Sequence, residues 1–249
     1  MAIAIPVVCV VLGMQFMPPL IEPYVGPTVR SFVGEDVGAD IDELFAENPM
    51  FAAYIAVEPE AGARMRQAVM DAYSEGGMTA ARETGYQYGY EIGQNAVSIY
   101  GPRAPLVDIR NFYLAMRDFG REMQSRPADC YAFFYSGLRS DMAEPEQGSQ
   151  IVTRGDNTAL TASMASLIRN AGPEPFEFDA EAVAAVEADI GQSLLENYDQ
   201  SDFRFFLGAV PQNDEDRDLA CRIMLSMLDE YLAHPDEEAA LRGIINASN

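Results

Sequence analysis

The chain has 249 residues, 49% of them hydrophobic, enough to bury one substantial core, and it contains no low-complexity tract. Its 39 acidic residues face 16 basic ones, every one an arginine, for a net charge of -23. A field of that sign repels phosphate backbones and anionic headgroups, which argues against nucleic-acid binding and against a polybasic membrane patch. The missing lysine fits a salty habitat or a compositional bias equally well.

From Met1 to Ile21 there is no acidic or basic side chain, and Ala2 to Met17 is apolar apart from Gln15. As a helix, that run would span about 24 Å at about 1.5 Å per residue, somewhat short of the roughly 30 Å hydrocarbon core. Leu20 and Ile21 nearly close the gap. Residues 1–21 therefore read first as a membrane anchor or signal-like segment. A buried core segment and a signal peptide lacking the usual basic start are the alternatives. Positive charge prefers the cytoplasm, so the acidic remainder is expected on the extracytoplasmic side, periplasmic or extracellular.

Residues 22–39 hold Pro23, Gly26, Pro27, Gly34 and Gly38 and read as a linker, which makes 40–249 an acidic α-helical domain. Asp40 is expected to cap a short helix through Leu44 and Phe45, and Pro49 to open a second carrying Phe51 and Tyr54. Pro59 opens a third, which Gly76 and Gly77 should end.

The stretch Thr79 to Tyr100 carries Gly85, Gly89 and Gly93 at every fourth residue. On a helix they form one bare stripe, at a cost of about 0.8 to 1 kcal/mol each relative to alanine. A closely packed backbone is the expected compensation, within the chain or from a partner. Tyr86, Tyr88 and Tyr90 also alternate as in a strand, but Thr79 as a cap and the face continued by Ala96 and Ile99 favour helix.

Beyond Pro105, the spacing of Leu106, Ile109, Tyr113, Met116 and Phe119 predicts an amphipathic helix with arginines opposite. The aromatic run Tyr131 to Tyr135 reads as core, and Met142 to Gly155 as a surface loop. Asp156 or Asn157 should cap a helix to Asn170, and Asp179 one over Ala180 to Asn197. A short helix is expected from Ser201 or Asp202, a long one after Asn213, and a last one over Pro235 to Ile245. The sum is an all-α fold, an irregular bundle of mostly short helices behind an apolar N-terminal segment.

Cys9 lies in the apolar segment, which leaves Cys130 and Cys221 as a disulfide candidate; buried thiols are the other reading. A bridge closing about 91 residues would stabilise the fold by roughly 4 to 5 kcal/mol in the chain-entropy account. A single histidine, His234, rules out a histidine-based metal cluster, and its place before Pro235 suits interaction with the preceding helix end. The acidic run Glu35, Asp36, Asp40, Asp42 and Glu43 lacks the ordered spacing of a calcium loop. No phosphate loop or nucleophile elbow is present, so neither cofactor nor metal is expected.

These features lead to an accessory or scaffold protein of a membrane-associated complex, acting by protein contact. The alternative is a soluble helical enzyme or small-ligand binder that uses carboxylates with Arg110, Arg117 or Arg121.

Overall fold

A computed structural model describes residues 37–135 and 157–246. Residues 1–21, most of 22–39 and the expected loop from Met142 to Gly155 lie outside that range. Among the described residues all regular structure is helical. The α-helices are α1 (Val37–Glu47), α2 (Pro49–Val57), α3 (Pro59–Asn95), α4 (Leu106–Met123), α5 (Pro127–Tyr135), α6 (Thr158–Asn170), α7 (Ala180–Asn197), α8 (Asp214–Ala233) and α9 (Glu237–Asn246). A π-helix, Ala96–Tyr100, and a 3-10 helix, Gly101–Arg103, join α3 to α4; a second 3-10 helix, Gln200–Phe205, lies between α7 and α8.

Helix starts follow local chemistry. Asn48 accepts from the amides of Met50 and Phe51 with Pro49 inside the first turn, Asp179 accepts from Glu181 and Ala182, and Asn213 accepts from Asp216. Each side chain satisfies amides that have no partner within the helix. Two expected starts are corrected, and Asn157 stands at the expected N-cap of α6. Helix α1 begins at Val37, inside the expected linker, so Asp40 sits in its first turn and not at its cap. Asn157 precedes α6 without a side-chain capping bond. The last helix starts at Glu237, two positions after Pro235, where Asp236 accepts from the Ala239 amide.

The Gly76 and Gly77 stop takes a different form. Helix α3 continues to Asn95, but Gly77 has φ 67° and ψ -157°, a conformation almost confined to glycine, so the two segments meet at a kink with no loop between them. The glycine-rich stretch is helical, and its last turn widens into the π-helix.

Helix α4 organises the core. Ile109, Phe112, Tyr113, Met116, Phe119 and Met123 are all buried along one stripe, as the 3.6-residue period requires, and α4 packs on α5, α6, α8 and α9. Every residue from Cys130 to Tyr135 in α5 is buried. Phe119 meets Phe133 edge-on at 5.0 Å and Tyr131 stacks on Tyr135 at 4.8 Å. Burying each such ring contributes about 1.5 to 3 kcal/mol, with a further 0.5 to 1.5 kcal/mol from ring geometry. Helix α2 lies against α3 and α6, closing the other side of the core.

Candidate functional site

Cys130 on α5 and Cys221 on α8 are fully buried and stand at disulfide distance, with Cα atoms 5.8 Å apart. The pair ties together two helices that also share an extensive apolar contact. Both residues are 0% exposed, so the pair sits inside the helix contact and away from solvent.

Gly89 and Gly93 are buried and Gly85 is partly buried on α3. An added Cβ at Gly85 or Gly93 would meet nothing within 4 Å. The tightly packed backbone expected against the stripe is therefore not found at either position. The close approaches occur elsewhere. At Gly120 an added Cβ would lie 2.5 Å from Phe134, at Gly101 2.7 Å from Ile245, and at Gly243 2.8 Å from Val183.

The three arginines of the alternative reading are held in surface ion pairs. Arg110 bonds Glu237 of α9, and Arg121 places Nη2 2.7 and 2.8 Å from the two oxygens of Asp229 on α8. Arg117 contacts Asp118 at 2.7 Å and Asp229 at 3.5 Å. These carboxylates are all substantially exposed, so the arginines brace α4 against its neighbours from the solvent side. In the acidic run, Asp42 is engaged by Arg66, with Nη2 to Oδ2 at 2.9 Å, and that guanidinium holds the carboxyl below its ordinary value. Among the described residues no group of three or more His, Cys, Asp or Glu could hold a metal ion. His234 turns forward, not back: its Nδ1 accepts from the Asp236 amide at 3.1 Å, and Nε2 lies 3.9 Å from Asp189.

Sequence reasoning missed one convergence of polar groups, at the non-α junction from Ala96 to Arg103. Tyr100 is buried and donates its hydroxyl to Glu58 at 3.2 Å; burial, reinforced by the Glu58 charge, pushes its pKa up to about 12. Arg103 lies over the Tyr100 ring at 5.0 Å and donates Nε to the Ile99 carbonyl at 2.8 Å. A π-turn frees a carbonyl for such a bond, and π-turns recur at functional positions.

The strap connecting α6 to α7, residues 171–179, crosses this junction. The Gly172 amide donates to Arg103 O at 2.8 Å and the Phe176 amide to Pro102 O at 3.0 Å. Beneath the strap lies Arg242 of α9, only 2% exposed, with its guanidinium 4.1 Å from the centre of the Phe176 ring. Nη1 donates to the Ala104 carbonyl at 2.9 Å, while Nε has no partner. The one sequence signal for this residue is its placement in the apolar run Leu241, Gly243, Ile244 and Ile245.

The chain matches no protein-family model, no curated protein and no solved structure. Class therefore rests on the fold alone, an irregular all-α bundle with a cysteine pair in its core.

Proposed function

We propose that this protein is membrane-tethered or exported and acts by contact with a partner protein, as an accessory or scaffold subunit of a membrane-associated complex. The observation that carries the reading is the Cys130 and Cys221 pair, buried at disulfide distance. Such pairs close and persist in oxidising compartments and are kept open in the cytosol. The uncharged run of residues 1–21 supplies a route to such a compartment. Among the described residues no helix is long and apolar enough to cross a membrane, and the tether proposed is the 1–21 run.

Contact in place of turnover accords with the arginine geometry. Arg110, Arg117 and Arg121 are already engaged by carboxylates of α8, α9 and α4 itself. Leu207, 75% exposed, and Val210 stand out on the turn after the second 3-10 helix and offer apolar contact area. Fractionating cells that express the full-length chain without detergent tests the proposal. Recovery with membranes or outside the cytoplasm is expected; recovery wholly in the soluble cytosolic fraction overturns it.

A second reading, binding of a small ligand, is favoured by one observation only, the unpaired guanidinium edge of Arg242.

A further inference from the structure

We infer that Arg242 is the anchor of a binding site for an apolar monocarboxylate, covered by the 171–179 strap and opened when Phe176 swings away. The inference holds whichever side of a membrane the chain occupies.

The argument begins with charge. In a chain with 39 acidic residues, eight of the described arginines pair with carboxylates; Arg64, Arg82, Arg103, Arg169 and Arg242 do not pair within the described residues, and of those five only Arg242 is buried. Arg242 is buried, yet no described carboxylate lies within ion-pair distance of it. Glu238, one turn earlier, acts on it only through its charge from farther off. A buried guanidinium without a paired anion is costly, and an orphaned donor adds to that cost. An anion is the group that would remove both penalties.

The geometry says where the anion would bind. Nη1 is committed to the Ala104 carbonyl, and Phe176 covers the planar face. The edge formed by Nε and Nη2 is left over. This is the edge with which Arg66 takes Asp42 in two parallel bonds, so a carboxylate at Arg242 would complete an arrangement that this chain already uses.

The surroundings select the class. The Phe176 ring against the guanidinium provides a hydrocarbon surface, and Phe178 stands exposed two positions along the strap. A net charge of -23 opposes a dianion more than a monoanion, and a single guanidinium balances one charge. A carboxylate carried on an aryl or alkyl body fits; phosphate fits less well. The same chemistry is found in a free organic acid and in the carboxy-terminus of a peptide ending in an apolar residue.

The strap can serve as a cover. Pro173 and Pro175 lack amide donors, the Gly172 and Phe176 amides provide its two backbone bonds to the junction, and Phe176 is 46% exposed. Swinging Phe176 out bares the face of the guanidinium, the approach by which a ligand would reach the neighbouring Nε edge, without disturbing a helix.

The test titrates the full chain with benzoate, hexanoate, inorganic phosphate and a short peptide ending in phenylalanine, as free acid and as amide. Thermal midpoint, calorimetric affinity and hydrogen exchange at the Phe176 amide are read together. Benzoate or the free-acid peptide is expected to raise the midpoint and to speed exchange at Phe176, and the better of the two identifies the source. Arg242→Gln should weaken binding by about tenfold or more, and Phe176→Ala should strengthen it several-fold by removing the competing cover. If Arg242→Gln fails to fold, Arg242→Lys takes its place and should also weaken binding, since an ammonium cannot form the two-bond fork. No response to any of the acids, undiminished binding in both Arg242 variants, or equal binding of peptide acid and amide overturns the site. Phosphate binding more tightly than benzoate overturns the carboxylate assignment.

Discussion

The Tyr135 hydroxyl on α5 donates to the carbonyl of Ala220 on α8 at 3.1 Å, and Ala220 is the residue before Cys221. The contact between these helices is thus held by a hydrogen bond as well as by the cysteine pair. Tyr135→Phe keeps the ring that stacks on Tyr131 and removes the donor. A loss of about 0.5 to 1.5 kcal/mol is expected in chemical denaturation, under reducing and oxidising conditions alike. An unchanged denaturation midpoint would contradict the assignment.

Two kinds of glycine should respond in opposite directions. At Gly120 a methyl group would run into Phe134 and Leu225 in the core, so Gly120→Ala should lower stability by about 1 to 3 kcal/mol. At Gly85 and Gly93 a methyl group meets nothing, so alanine there should raise stability by about 0.8 to 1 kcal/mol through helix propensity. Thermal melts of the three variants decide. A destabilised monomer for Gly85→Ala and Gly93→Ala would restore the close packing that the spacing first implies.

At the kink, Gly77→Ala forces a side chain into a backbone region essentially confined to glycine, at φ 67° and ψ -157°. Roughly 1 to 3 kcal/mol of stability should be lost, read as a lower denaturant midpoint. A neutral effect would mean that α3 runs straight through this position.

Alkaline unfolding should track the buried phenols. Tyr100 is pushed up to about 12 by burial and the Glu58 charge, and Tyr231 is raised by burial with Glu187 nearby. The folded state then holds these protons more tightly than the unfolded chain does. That share of the stability is whole below the ordinary tyrosine pKa of about 10 and is lost as pH rises through the raised values. Tyrosinate absorbance recorded beside helical ellipticity should show the last phenols ionising together with unfolding, and Tyr100→Phe should move that transition to higher pH. Complete ionisation near the ordinary value with ellipticity intact would contradict this.

Helical class and most helix starts were legible because they depend on neighbours in sequence. Asp179 and Asn213 cap where a polar oxygen precedes an amphipathic run, and the stripe from Ile109 to Met123 needs only its period. The cysteine pair was legible as a candidate because the domain offers two thiols, and the fold supplies their proximity. The glycine stripe showed a bare face but not what covers it. The π-turn at Ala96 left almost no trace, and neither did the cover over Arg242, which depends on a strap from residues 171–179 meeting elements about 70 residues away on either side in sequence. An arginine set among apolar residues was the one available hint.

Under the proposed function the Cys130 and Cys221 pair is closed in the working protein, because the helical body would reside outside the reducing cytosol. Peptide mass mapping of the full-length chain, taken from its cells with free thiols blocked at lysis, tests it most directly. A peptide joining Cys130 to Cys221, with no blocking label on either residue, is expected; both cysteines recovered singly and labelled would overturn the proposed compartment.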